Sequence, residues 1–572
     1  MEGTIDRVRF STRHIAAQPL VFRQVQTELM IAIDKSVSPC AGVDIEAPRI
    51  LRLSIQIFAA GLFVMFALIV YGHVVSNGLC CADDSTNAIV AKNLAFGGGY
   101  SNSIQFDGVP GLRLFDPKIT TGPTLNLPAA LLIRVFGNAP WVPGFVTATS
   151  SLTLILMMFV VLLKRLDRSA AAAYIVLLIL LLYSLTAGLH FEQWYSLIGE
   201  IPAALLCMVG AAILAVDPDK RSAILLSSTL YGLAVTTKLL ALLGFVPILA
   251  WLLWRVATAE HRAQQRATDG GLAAVAFLAP SAAFEIWKLF VLGIHLYIVN
   301  TRDFIKFFAA GADTPGSHSS SGFLRRALQV YSEHAVTMQQ HFGHSPITLL
   351  VIAALVGWLI YNYSRQRAIR LLFTWLMAAA LMHLLWWLFL SNGWPRYVLI
   401  GLCLYFAALS CLVFTGLSWK VVGTIAALLL ITFSAGYPRT AAPIKFVMQT
   451  KYEYDARVIN LLKTVTLLDR VSKNETFVMG WWATAGDLEY SMPTIGNFVQ
   501  SDHVRPDREG TGLILVRNKV WVNFGTTPEF TAWEQKCNEV LLDAPPYVVS
   551  RCPGGSPPTK MTAPPSVASV GN

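Results

Sequence analysis

Two adjacent carboxylates, Asp83 and Asp84, follow the first long apolar run of the chain, in Cys81–Ala82–Asp83–Asp84–Ser85. Like charges this close repel, so one of the pair is expected to hold its proton more tightly and to serve as a general base. The pair could also hold a divalent cation. The same residues head a stretch of helical character, Ser85 to Leu94, and carboxylates suit a helix N-terminus for purely structural reasons. The two readings are compatible, because a capped helix start is a rigid mount for a catalytic acid.

Further along, Phe115–Asp116–Pro117–Lys118 leads into Thr120–Thr121–Gly122–Pro123–Thr124. Proline and glycine fix turns here, and Asp116 and Lys118 could face one site or form a plain surface turn. Glu192 and Glu200 bracket a later connector, with Glu200 in Ile198–Gly199–Glu200–Ile201–Pro202 at the edge of an apolar run. A carboxylate at membrane depth is costly and usually functional unless it is locally paired. Lys238 and Arg396 each lie at the end of an apolar run, Arg396 within Trp394–Pro395–Arg396–Tyr397. Either could bind a phosphate at a membrane surface, Arg more directionally than Lys. Interfacial anchoring by Trp, Tyr and Arg is the competing explanation. His334, His341 and His344 are weaker candidates: the last two, three apart, could share a helical face or simply be solvated. No Walker-type loop and no dinucleotide fingerprint is present, which argues against nucleotide-driven chemistry.

The elements that must position these residues are membrane spans. Of 572 residues, 55% are hydrophobic and only 14% charged, against about 25% charged in soluble domains; mean hydropathy is +0.54. The net charge of +10 suits basic loops beside anionic lipid. No basic run carries interleaved aromatics, so nucleic acid is not an expected partner. The first apolar run, from Ile50 to about Val75, spans roughly 37 Å as a helix and is too long for a cleaved signal core. It reads as an uncleaved signal anchor behind a cytoplasmic tail, residues 1–49. Further runs lie at about 142–163, 169–187, 197–216, 223–237, 239–254, 271–298, 346–362, 371–390, 397–418 and 420–436.

The expected fold is therefore a polytopic α-helical membrane protein of about eleven transmembrane helices over 50–436. Short basic connectors, Lys164–Arg168, Asp217–Arg221, Arg255–Arg266 and Arg365–Arg370, together with Lys420, place one face in the cytoplasm. Two long outer loops, 76–141 and 299–346, then face the other way. The short runs 223–237 and 239–254 make a hairpin with Lys238 at its tip, near the outer surface. Thr124 to Gly137 reads as a helix lying at the interface. The region 437–552 has soluble composition and is expected to be a small extracytoplasmic α/β domain, with a helix over 452–468 and strands at Thr476–Met479, Leu513–Arg517 and Val520–Phe524. The tail 553–572 is expected to be disordered. Cys537 and Cys552 in this region suit a disulfide if it is extracytoplasmic, or are free thiols.

In order and placement these features resemble the GT-C superfamily of membrane glycosyltransferases, which includes protein O-mannosyltransferases, lipid A aminoarabinose transferases and related bacterial enzymes of lipopolysaccharide assembly. The resemblance rests on Asp83–Asp84 after the first span, Ala91–Lys92–Asn93–Leu94 to Gly97–Gly98–Gly99–Tyr100, Asp116–Pro117 to Gly122–Pro123 with the helix after it, Gly199–Glu200, Thr237–Lys238 and Arg396–Tyr397. It implies a polyprenyl-phosphate sugar donor, a glycan, lipid or protein acceptor, and sugar transfer with inversion on the extracytoplasmic face of a plasma membrane, the inner membrane in a bacterium. An outer-loop acid would deprotonate the acceptor. Asp83 is the expected base, with Asp84 orienting it or binding a metal. Many relatives carry Asp–Glu here, so the choice between the two stays open. Lys238 and Arg396 would bind the phosphate, and Glu200 would position a substrate. The alternative is a transporter or flippase of lipid-linked glycans. Such a protein places polar sites near mid-membrane, where this chain offers mainly Glu285, Lys288 and His383; Glu285 and Lys288, three apart, could simply pair.

Overall fold

The computed structural model describes residues 49–103, 112–117, 119–186, 191–258, 263–311, 323–391, 393–435, 459–470, 476–479, 486–492, 498–500, 513–518, 532 and 534–552. The expected tails, Lys118 and the strand expected at Val520–Phe524 lie outside these residues. In chain order the elements begin with helices α1 (Arg49–Asn77) and α2 (Ala82–Ala95), then the two-residue strands β1 (Ser101–Asn102) and β2 (Arg113–Leu114). There follow α3 (Pro123–Phe136), α4 (Trp141–Leu163), α5 (Arg168–Thr186), α6 (Glu200–Val216), α7 (Arg221–Thr237) and α8 (Leu242–Ala257). Next come α9 (Ala263–Gly311), α10 (Phe323–Phe342), α11 (Pro346–Tyr363), α12 (Arg367–Leu390), α13 (Leu399–Ser410) and α14 (Trp419–Ala435). The C-terminal part holds α15 (459–470), β3 (Thr476–Met479), α16 (Gly486–Ser491), β4 (Phe498–Gln500), β5 (Leu513–Asn518), β6 (Glu539–Ala544) and β7 (Tyr547–Cys552).

Each of the eleven apolar runs is helical. Among the described residues, eight helices are long and apolar enough to cross a membrane, and the chain is a multi-pass membrane protein. α6, α7 and α14 are shorter, at 17 residues each, roughly 26 Å against a hydrocarbon core of about 30 Å. The two most enclosed helices are α6 and α13, whose side chains are buried almost throughout. They form the centre of the bundle, and both begin beside a charged candidate: Glu200 opens α6, and Arg396 lies in the 3-10 turn Pro395–Val398 that runs into α13.

The region read as a second outer loop is largely helical. α9 continues to Gly311 through a kink at Gly293, whose φ of 68° lies in the left-handed region. α10 buries Val330, His334, Met338 and Phe342, a four-residue spacing that puts one stripe against α12. Hydropathy alone does not reveal α10, because its buried residues occupy one narrow face.

α3 begins with Pro123 at its first turn, where a missing N–H is harmless. One face of α3 is buried through Leu125, Asn126, Ala129 and Ile133, while Leu127, Leu131, Val135 and Phe136 are exposed. That second apolar face suits an interfacial helix. In the C-terminal part a mixed sheet has the order β4-β3-β5-β7-β6. β3 pairs in parallel with β4 and β5, while β7 pairs antiparallel with β5 and β6. Cys537 and Cys552 are joined by a disulfide.

Candidate active site

The acid-bearing helix α2 is unusual for its polarity. Asp84, Ser85, Thr86, Asn87, Lys92 and Asn93 are all buried. A buried polar helix is stable only if its groups find partners, and these partners assemble the site. Asn87 Nδ2 donates to Thr121 Oγ1 at 3.1 Å and to the Leu197 carbonyl at 2.9 Å, and Asn87 Oδ1 accepts from the Thr121 N–H at 3.2 Å. Thr121 Oγ1 donates to the Ile198 carbonyl at 2.7 Å. The Gly122 N–H donates to the Thr237 carbonyl at 3.1 Å. At Gly122 the backbones come so close that a Cβ would stand 1.7 Å from the Thr236 carbonyl oxygen, so only glycine fits. Gly199, with φ of 94°, turns the chain into α6. Segments 119–122 and 197–200 are thus drawn against the head of α2, and 236–238 is held against both of them.

Asp83 and Asp84 have different surroundings. Asp84 is fully enclosed and accepts two backbone hydrogen bonds, from the Leu197 N–H at 2.6 Å and the Cys80 N–H at 2.9 Å. Neither acid is the cap residue of α2: that position is Cys81, which makes no side-chain cap hydrogen bond. Burial pushes the Asp84 carboxyl up to about 6, against the pull of those two N–H donors. Asp83 is partly open, with 21% of its side chain exposed, and forms an ion pair with Arg396 Nη1. Arg396 also donates from Nη2 to Tyr397 Oη at 3.4 Å, and its guanidinium lies 5.2 Å from the centre of the Trp394 ring and 5.1 Å from that of Tyr397. Its Nε is buried without a hydrogen-bond partner.

Lys238 and Glu200 form the second ion pair, at 3.0 Å, with 7% and 0% of their side chains exposed. Lys238 Nζ also donates to the Ile198 carbonyl at 3.1 Å. Glu200 is near enough to act electrostatically on Arg396, so Asp83, Arg396, Glu200 and Lys238 make one cluster of alternating charge. Glu192 lies on the adjacent 3-10 turn Phe191–Trp194, where its charge acts on Cys80 and Tyr195. Asp116 sits elsewhere on the loop. It accepts from Asn102 Nδ2 at 3.3 Å and lies 3.9 Å from Arg113 Nε, and Arg113 in turn reaches Asp303 of α9 at 3.4 Å.

Asn87 and Thr121 were not singled out in the sequence. Asn87 stands one helical turn after the acids, on the same side of α2, and that spacing was the available signal. The histidines do not gather. His334 is hydrogen-bonded to the Trp387 carbonyl at 2.8 Å, and the His344 ring packs edge-on to Phe433. His383 lies within 3.0 Å of the Ala379 and Leu240 carbonyls, and Glu285 pairs with Lys288 at 3.6 Å. Among the described residues no three His, Cys, Asp or Glu side chains form a metal-binding group, and Asp83 and Asp84 turn to different partners.

The state of Asp84 has a measurable consequence. Its folded value near 6 lies above the ordinary 3.8, so the stability it contributes is present below about pH 4 and is lost as pH rises through about 6. The change is about 3 kcal/mol. Thermal unfolding in detergent between pH 4 and 7 should show this loss in wild type and not in Asp84→Asn. Parallel profiles would exclude it.

No family model and no curated protein matches the chain. Solved structures do. ArnT from Cupriavidus metallidurans in the apo state aligns with a TM-score of 0.52 at 14% identity, covering 86% of this chain and 97% of that one. ArnT from the same organism bound to undecaprenyl phosphate gives 0.50 at 13%, with the same coverage. The likeness is one of fold: over most of its length the chain shares the helical membrane architecture of those ArnT structures.

Proposed function

We propose that the protein is a membrane glycosyltransferase that moves a sugar from a polyprenyl-phosphate donor to an acceptor hydroxyl on the extracytoplasmic face, with inversion. The observation that carries this reading is the paired-charge cluster Asp83–Arg396 and Glu200–Lys238, set at the starts of the two most buried helices. The solved ArnT structure bound to undecaprenyl phosphate supports a lipid phosphate as the donor's leaving group. Under this reading the two ion pairs hold the cations where a lipid phosphate would bind. The donor phosphate draws Arg396 off Asp83, and Lys238 supplies a second positive charge.

The freed Asp83 carboxylate accepts the acceptor's hydroxyl proton as that oxygen attacks the anomeric carbon. The bond from that carbon to the phosphate oxygen breaks, and polyprenyl phosphate leaves. Negative charge develops on the leaving phosphate, where pre-placed cations lower the barrier most. Asp84, whose oxygens are held by backbone N–H groups, is suited to fix the helix rather than to exchange protons. Glu200 holds Lys238 in place, and Tyr397 orients Arg396. Glu192 and Asp116 are assigned to holding donor or acceptor. The N-terminus is assigned to the cytoplasm of a plasma membrane and the C-terminal unit to its outside, which suits the bridged Cys537 and Cys552.

The test is sugar transfer by purified protein from a panel of radiolabelled polyprenyl-phosphate sugars, with candidate acceptors present. The expected result is a labelled product with release of polyprenyl phosphate. Movement of an intact donor across a proteoliposome bilayer, with no cleavage, would establish the flippase instead.

A further inference from the structure

Helix α2 is held from two sides. Toward the bundle, Asp83 meets Arg396. Nine residues on, about half a turn out of phase at 3.6 residues per turn, Lys92 points the other way into the C-terminal part. There its ammonium pairs with Glu489 of α16 at 3.3 Å and also donates to the Glu489 backbone carbonyl. Both side chains are closed to solvent, at 1% and 0% exposure. Ser103 Oγ donates to the same Glu489 oxygen at 2.6 Å, and Asn93 Nδ2 reaches the Ser101 carbonyl at 3.0 Å.

The contact is seated in a shared apolar core: Ala88, Ile89 and Ala91 of α2 pack in one cluster with Leu488, Tyr490 and Val465. Asn138 Nδ2 donates to the Tyr490 and Met492 carbonyls at 2.9 and 3.2 Å. A surface-docked module would need no buried charge here. A lysine and a glutamate enclosed together specify one register of the two parts, since any slip leaves an unpaired charge in the core.

We propose that Lys92 and Glu489 are positioning residues through which the C-terminal α/β unit sets the placement of the Asp83-bearing helix. The unit is then part of the active site's construction. The inference rests on the glycosyltransferase reading for its kinetic consequence, and on geometry alone for the clamp itself.

The experiment uses the full-length protein in detergent, as wild type, Glu489→Gln, Ser103→Ala and the exchanged pair Lys92→Glu with Glu489→Lys. Hydrogen exchange is read on peptides covering residues 82–95. Glu489→Gln should speed that exchange at least about tenfold while the span peptides stay protected. Donor turnover should fall about tenfold at unchanged donor KM, because a displaced base slows chemistry without weakening donor binding. Ser103→Ala, which removes one bond and no charge, should show the same pattern at smaller size and covers the case that Glu489→Gln does not fold. The exchanged pair should recover part of both. Unchanged exchange over 82–95 in the folded variants would overturn the clamp. Faster exchange with wild-type kcat would overturn the positioning role and leave a structural contact. If wild type itself transfers no sugar, the functional reading fails while the exchange data still decide the clamp.

Discussion

Asp83→Asn should lower sugar transfer by at least about a hundredfold, the range for a lost general base, with no rise in donor KM. The kinetic split follows from the ion pair. Arg396 pairs with Asp83, and an asparagine there competes less for the guanidinium. Under the proposed mechanism the donor phosphate therefore finds Arg396 at least as available as before, while no group remains to take the acceptor's proton. The loss of stability should be smaller than for the Lys238 variant below, because Asp83 is partly exposed and an asparagine oxygen can still accept from Arg396. Asp84→Asn makes the contrast. Two backbone N–H groups converge on that carboxylate, and an amide offers them only one oxygen, so this variant should lose stability before chemistry. Steady-state kinetics beside thermal unfolding in detergent separates the two. Wild-type turnover in Asp83→Asn with a collapse in folded Asp84→Asn would move the base to Asp84.

Lys238→Met should be the most destabilising single change at the site. It leaves Glu200, with none of its side chain exposed, as a lone charge in the bundle, and breaking a buried pair in this way costs about 3–5 kcal/mol. It also strips a donor from the Ile198 carbonyl, 3.1 Å away. Removing both charges, as Glu200→Leu with Lys238→Met, should restore most of that stability, since an apolar pair of similar volume is tolerated where an ion pair stood. Transfer should remain lost under the proposed mechanism, which makes Lys238 the second phosphate-binding cation. Thermal unfolding and donor turnover on the same samples read the two roles apart. A single variant as stable as wild type would show that the ion pair does not hold the tip of the α7–α8 hairpin in place, and activity in the double variant would show that Lys238 does not bind donor.

Much of this is legible in the sequence. In a bilayer, backbone polar groups must be satisfied within the segment, so long apolar runs become helices whatever their neighbours. The eleven runs needed only local information. The charged candidates were equally conspicuous, because an apolar chain leaves few places for Glu200, Lys238 or Arg396 to be incidental. The C-terminal part was harder. Strands at Thr476–Met479 and near Leu513 were foreseen, while β4, β6, β7 and α16 were not, since short strands in a mixed sheet carry weak local signals. The amphipathic α10 was passed over for a similar reason.

What the sequence by itself determined is the helical membrane architecture and the small set of side chains able to do chemistry in it. Both follow from residue type and run length, which are local properties. Only the tertiary structure decided which of those side chains meet. Asp83 and Arg396 are 313 positions apart, Asp84 and the Leu197 N–H 113, and Lys92 and Glu489 397. Such pairings depend on helix packing and on close approaches like that of Gly122 to the Thr236 carbonyl, and no local pattern encodes a distance between helices. The two neighbouring carboxylates show the difference most directly. They are alike in the sequence, and the fold left one open beside an arginine and enclosed the other between two backbone amides.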